Sequence, residues 1–136
     1  MMQDCIFCKI VKGDIPAKKV YEDDRCLAFL DISPVRPGHT LIIPKQHHET
    51  LIDTPKDTLA HLAIVTGKVA AAIKQGLRCG GINLQQNNFP PAGQVVSHIH
   101  LHLIPRDEGD GLRLWPQGNY EEGEAEAIQA KISSAF

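Results

Sequence analysis

The segment Ser97-His98-Ile99-His100-Leu101-His102-Leu103-Ile104-Pro105 sets an imidazole at every second position and apolar side chains between them. On an extended strand, successive side chains point to opposite faces. His98, His100 and His102 then share one face, while Ile99, Leu101 and Leu103 share the other and suit a core. Packing alone does not require that many imidazoles on one face. Imidazole binds metals, moves protons and attacks electrophiles near neutral pH. The pattern admits a hydrogen-bonded polar sheet face. It also admits a catalytic zinc site with ligands at i and i+2. Its remaining reading is phosphoryl or nucleotidyl transfer, in which one histidine attacks phosphorus and its neighbours hold the oxygens. Spacing does not separate the last two.

Residues elsewhere could serve the same chemistry. Ala92-Gly93-Gln94 lies just before the histidines. Small residues there let backbone N–H groups approach an anion, and the Gln94 amide can donate to a phosphate oxygen. Pro37-Gly38-His39 opens another strand with a further histidine. Asp31 ends an apolar stretch on the same side as Phe29. Its carboxylate can accept two hydrogen bonds from a ribose diol or simply start a turn. Cys5 and Cys8 form a C-x-x-C pair, open to metal binding or to two reduced thiols. A redox role fits less well, because no thioredoxin-like βαβ pattern follows. Cys26 and Cys79 read as isolated buried thiols, and His48 and His61 as surface residues.

The elements that must position these groups are visible in the pattern. Residues 5–11 predict a short helix, ended by Gly13. Residues 19–22 and 25–31 predict a hairpin around Asp23-Asp24, and 39–44 another strand. Residues 55–75 predict the long helix, with Thr54 as N-cap, Pro55 at the first position and Gly76 as the stop. Its apolar stripe runs through Leu59, Leu62, Ala63, Val69, Ala70, Ile73 and Leu77. Residues 81–87 predict a strand, 88–93 a loop, 95–106 a long strand, and 121–133 a weaker helix broken by Gly123. One long helix with hairpin-connected strands is an α+β arrangement on an antiparallel sheet, its second face left for a ligand or a partner subunit.

The chain of 136 residues has the size of one domain and can hold a core without staples. A formal net charge of -2 argues against a general field for nucleic acid or an anionic membrane. No apolar run approaches the about 20 residues of a spanning helix. Met1-Met2-Gln3-Asp4 lacks the pattern of a secretory signal, so the cytoplasm is the expected compartment.

From about residue 5 to residue 111 the chain resembles the histidine-triad (HIT) family. The likeness rests on His98 to Ile104 together with Ile6-Phe7-Cys8-Lys9-Ile10, Ile15-Pro16-Ala17, Asp23-Asp24-Arg25-Cys26-Leu27-Ala28-Phe29, Asp31-Ile32-Ser33-Pro34, Pro37-Gly38-His39 and Ile43-Pro44-Lys45. Gly109-Asp110-Gly111 is similar to the bacterial branch; residues 112–136 form a variable segment. The resemblance implies a homodimer whose two five-stranded sheets join into one of ten strands. It implies that His100 attacks Pα of a nucleoside phosphoramidate or dinucleoside polyphosphate. A nucleotidyl-histidine forms, and water then releases the nucleoside monophosphate. A purine nucleotide is the expected ligand, and no metal is required for the chemical step. His98 completes the triad. His102, His39 and Gln94 fall on positions that touch phosphate or the leaving group, with Gly93, Val95 and Asn87 beside them. Asp31 falls on the ribose position, and Ile6, Phe7, Ile10, Phe29, Ile32 and Leu41 on the base sandwich. Ordinary core packing is the competing role for each of these apolar residues.

Two positions depart from the family pattern. Phe89, followed by Pro90-Pro91, stands where glycine is usual, and Val95 stands where Ser or Thr is usual. Valine cannot donate to phosphate, which leaves room for a nucleotide-binding or sensor protein with little turnover. The resemblance to some bacterial relatives also implies a structural zinc on Cys5, Cys8, His47 and His98, since Cys₂His₂ suits a closed tetrahedral site. Trp115 could pack at a dimer interface or near the site.

Overall fold

Cys5 shapes the start of the chain by capping a helix with its own sulfur. In the computed structural model, which describes residues 4–136, α1 runs Ile6–Lys12 and the Cys5 Sγ accepts from the Cys8 N–H at 3.4 Å. A side chain that caps the third helical residue must fold back over it. The C-x-x-C spacing therefore brings both sulfurs to one side of the helix end. Gly13, at φ 86°, closes α1 in the left-handed conformation that glycine takes at no steric cost. The reading of residues 1–3 as part of a signal-free terminus lies outside the described residues.

Strands β1 (Lys19–Glu22) and β2 (Cys26–Leu30) form the expected hairpin. Its turn is fixed by the Asp23 carboxylate, which accepts from the backbone N–H groups of Arg25 and Cys26 at 2.8 and 2.7 Å. Next come β3 (Thr40–Pro44), α2 (Lys56–Leu77), β4 (Gly81–Gln86) and β5 (Leu101–Arg106). The sheet has five strands in the order β1-β2-β3-β5-β4, every neighbouring pair antiparallel.

Both faces of the central strands are covered. Leu62, Val65, Val69 and Ile73 of α2 pack with Cys26, Ala28, Ile42, Ile99 and Leu103. On the opposite face Leu27, Phe29, Leu41 and Ile43 pack under Phe7 and Ile10 of α1. That second face is therefore only partly open, contrary to the expectation of a free one, because α1 folds onto it. The uncovered remainder lies toward β5 and β4, where His102 sits in register between Leu41 and Gln85.

Several boundaries differ from the sequence pattern, each for a local reason. Thr54 does not cap α2; its hydroxyl donates to the Thr50 carbonyl at 2.6 Å, and Pro55 takes the N-cap position. Gly76 stays inside α2, and Arg78 closes it at φ 56°. Ala63 and Leu77 are exposed, while Val65 and Thr66 complete the buried stripe. Gly123, at φ 79°, is the N-cap of α3 (Glu124–Ser133) rather than a break within it. A short 3-10 turn at Pro90–Ala92 interrupts the loop before the histidines.

The largest difference concerns the histidines themselves. β5 begins at Leu101, not at residue 95. Upstream of it the Ile99 N–H donates to the His48 carbonyl at 2.7 Å, outside any sheet ladder. The inward alternation survives this loss of pairing, since Ile99 and Leu103 both enter the α2 core. Beyond β5, Arg106 holds the Asp107–Asp110 turn through the Asp110 carboxylate at 2.7 and 3.0 Å. Trp115, on the segment that follows, is exposed. Among the described residues no helix is long and apolar enough to cross a membrane.

Candidate active site

Each histidine of the cluster has a protonation pattern dictated by a neighbour that can play only one part. The His100 Nδ1 lies 2.7 Å from the His98 carbonyl oxygen. A carbonyl only accepts, so Nδ1 carries the proton and Nε2 holds a free lone pair. The Val35 N–H donates to His39 Nδ1 at 3.1 Å. His39 must then carry its proton on Nε2, which donates to His102 Nδ1 at 2.9 Å. His102 in turn keeps its proton on Nε2, a donor facing away from that bond. His98 Nε2 donates to the Pro44 carbonyl at 2.8 Å, so its Nδ1 is bare. One backbone amide and two carbonyls thus fix a nucleophile, a donor and a ligand atom.

Burial keeps these rings neutral. It lowers the His100 and His39 pKa values below that of free imidazole, against the opposing pull of the His98 carbonyl on His100 and of Asp31 on both. It takes His102 down to about 4, helped by the His100 and His39 rings. His100 and His102 stand with ring centroids 4.9 Å apart. The Phe7 ring meets His100 edge-on at 5.1 Å and an interplanar angle of 83°. Such edge contacts favour one orientation of the imidazole over others.

Asp31 lies at the same end of the sheet. Its Oδ2 is 3.7 Å from His39 Nε2, and its Oδ1 accepts from the Ser33 N–H at 2.8 Å. The turn-forming role is therefore filled, with one oxygen left over. The apolar residues assigned to a base fall into two groups. Phe7, Ile10, Phe29 and Leu41 are buried in the cluster under α1, whereas Ile6 is half-exposed and Ile32 is 99% exposed.

The loop before the histidines departs from expectation at Gln94. Its side-chain oxygen accepts from the Phe89 N–H at 2.7 Å, and its amide donates to Glu49 O and Val96 O at 2.6 and 3.1 Å. That side chain is spent on holding the loop, not offered to an anion. Asn87 Nδ2 reaches the Gly93 carbonyl at 3.5 Å, and Gly93 itself sits at φ 96°. Val95 is 92% exposed. Phe89 adopts φ 72° and ψ 153°, a region that glycine enters freely and other residues rarely do. The glycine expected there is missing, and Phe89 holds a backbone conformation that suits glycine.

A second cluster adjoins the first. His98 Nδ1 lies 3.4 Å from Cys5 Sγ and 3.6 Å from Cys8 Sγ, and Cys8 Sγ lies 3.4 Å from His47 Nδ1. All four ligand atoms fall within 4.8 Å of one another. Zinc–sulfur and zinc–nitrogen bonds of about 2.3 and 2.0–2.1 Å at tetrahedral angles put sulfur and nitrogen about 3.5 Å apart. The donor set, the bare His98 nitrogen and these spacings fit a closed structural zinc. The His98–Pro44 bond is the outer contact that orients such a ligand. A zinc held by all three triad histidines is not supported by the geometry: His98 joins the cysteine cluster, His102 a separate group with Asp31 and His39, and His100 neither.

Some contributors were not visible in the sequence. The Val35 N–H, the Pro44 carbonyl and the His48 carbonyl are backbone groups with no residue-type signal. His48 was expected at the surface, yet its Nε2 is buried without a hydrogen-bond partner. His61, likewise expected there, donates to Asp23 Oδ2 at 2.8 Å.

Comparison with known proteins gives the family and the fold. The family model described as HIT domain matches residues 12–109. The crystal structure of a HIT family member from Bacillus subtilis superposes with a TM-score of 0.91 at 40% identity, covering 98% of each chain. A Zn-bound histidine triad family protein from Mycobacterium smegmatis superposes at 0.78 with 43% identity, again over 98% of each chain. Adenosine 5'-monophosphoramidase HNT1 of Candida albicans is 44% identical over 118 residues, which is 82% of this chain and 78% of that protein.

Proposed function

Because this chain belongs to the HIT family, we propose that it is a nucleotide hydrolase that cleaves nucleoside phosphoramidates or dinucleoside polyphosphates at the α-phosphate. The His100 Nε2 lone pair attacks Pα. The bond from Pα to the leaving amine or phosphate breaks, and its electron pair departs with that group, which takes up a proton from solvent. Water then attacks Pα and releases a proton to solvent, the phosphorus–nitrogen bond to His100 breaks with its electron pair returning to Nε2, and a nucleoside monophosphate leaves with His100 restored as the neutral ring. His102 Nε2–H supplies a donor for the phosphoryl oxygens as charge spreads over them. Asp31 accepts from the ribose hydroxyls, and the apolar cluster around Phe7 receives a purine. In this reading Cys5, Cys8, His47 and His98 hold a structural zinc that ties α1 to the sheet. The protein is a single-domain homodimer.

The observation that carries the reading is the 2.7 Å bond from His100 Nδ1 to the His98 carbonyl, which leaves the opposite nitrogen unprotonated. The test is His100→Ala assayed on adenosine phosphoramidate. Turnover should fall by about three orders of magnitude, as when a covalent nucleophile is removed, with AMP affinity within about threefold. Unchanged turnover would end the proposal.

A second reading, nucleotide binding with little turnover, is favoured by Gln94, whose amide is already bonded to Glu49 and Val96. Turnover of adenosine phosphoramidate and diadenosine tetraphosphate no faster than that of the His100→Ala variant would select it.

A further inference from the structure

The segment that carries His100 lies outside the sheet's strand-to-strand ladder. Pairing of β3 with β5 begins at Ile42 opposite Leu101, after both His98 and His100 have passed. Besides the burial of Ile99 in the α2 core and the His98 contact with the end of β3, residues 98–100 are held by the cysteine–histidine centre and its neighbours. The His98 ring is fixed at one nitrogen by Pro44 and at the other by the sulfurs of Cys5 and Cys8. The Ile99 N–H is fixed by the carbonyl of His48, next to the ligand position His47. The His98 carbonyl is the acceptor that sets the His100 tautomer.

A second path leads from the same centre to the same ring. Phe7 stands between Cys5 and Cys8 on the first turn of α1. Its ring contacts His98 and His100 edge-on, at 5.8 and 5.1 Å. A metal that draws both sulfurs together therefore sets the backbone on one side of the His100 ring and the aromatic wall on another.

We infer that the Cys5/Cys8/His47/His98 metal centre is a positioning device for His100, coupled in free energy to nucleotide binding through His98 and Phe7. The inference rests on the nucleotide and zinc readings proposed above and goes beyond a merely structural metal. A structural metal need only stabilise the fold; a coupled one must respond to nucleotide, because linkage between two sites is reciprocal.

The test is a binding cycle with zinc as the metal and AMP as the probe. AMP affinity is measured by calorimetry on zinc-loaded and metal-stripped protein, and zinc affinity by chelator competition with and without saturating AMP. Stripping should weaken AMP binding at least about fivefold, and AMP should strengthen zinc binding by the same factor. A readout free of folding effects comes from the cadmium-loaded protein: its cadmium-113 resonance should move when AMP is added. An unmoved resonance at saturating AMP overturns the inference. Equal AMP affinity in a stripped protein that keeps its circular dichroism also overturns it. If stripping unfolds the chain, the cadmium resonance decides. Loaded protein that fails to bind AMP, or protein that retains no zinc, removes the underlying reading as well; AMP and zinc binding without coupling removes this inference alone.

Discussion

His39 Nε2 and His102 Nδ1 share one proton across 2.9 Å, and the Val35 amide behind them decides that His39 is the donor. Replacing His39 with Phe removes that donor and leaves His102 free to take either tautomer. A lost hydrogen bond of this kind costs about 1 kcal/mol, so kcat/KM should fall by about five- to tenfold. Nitrogen-15 NMR of His102 should then show a mixture of tautomers. A single unchanged tautomer would refute the claim that His39 fixes the His102 proton.

The pH profile follows from the same burial. His102 titrates at about 4, and His100 and His39 are both shifted below ordinary imidazole. Activity should therefore hold as pH drops through 6.5, the ordinary value, and decline only further into acid. Stability has the same sign. The unfolded chain takes up protons first, so the contribution of a neutral buried His102 is complete above 6.5 and is lost as pH falls toward about 4. Thermal melts and kcat/KM across this range check both; an activity inflection at 6.5 would contradict the assignment.

Phe89 occupies a glycine-like backbone region and is half-exposed. Phe89→Gly relieves strain of about 1–3 kcal/mol and raises the entropy of the unfolded chain by about 0.5–1 kcal/mol. The expected net effect is stabilisation of about 1 kcal/mol, read as a higher denaturant midpoint. A lower midpoint would show that Phe89 makes packing contacts that outweigh its strain.

The proposed dimer is expected to use β4. The other edge strand, β1, is short and carries a register irregularity between Lys19 and Tyr21, a feature that blunts edge pairing. β4 is regular over six residues and exposes Leu84. Leu84→Lys should shift the light-scattering mass from dimer toward monomer at micromolar concentration. An unaltered dimer mass would place the interface elsewhere.

The fold was largely readable in the sequence because its elements rest on local rules. Asp23 turns a hairpin, Gly13 stops a helix, and the stripe from Leu59 to Ile73 has helical spacing. The site was readable as a set of residue types: His39, His102 and Asp31 do meet, and Cys5 and Cys8 do face His47 and His98. The backbone partners were hidden, because any residue can supply an N–H or a carbonyl. Val35, Pro44 and His48 contribute main-chain atoms whose use depends on tertiary approach. The early end of the ladder at Leu101 was hidden for a related reason. Alternating side chains look the same whether or not the backbone between them is paired.

The two walls around β2 and β3 leave those strands with no spare side. Consecutive positions from Cys26 to Phe29 and from Thr40 to Pro44 are all buried. Ordinary half-covered strands accept variation at every other residue; these two have no such rhythm. Evolutionary or laboratory change must therefore enter through the sheet margins and the loops, while the centre constrains neighbouring residues without a break.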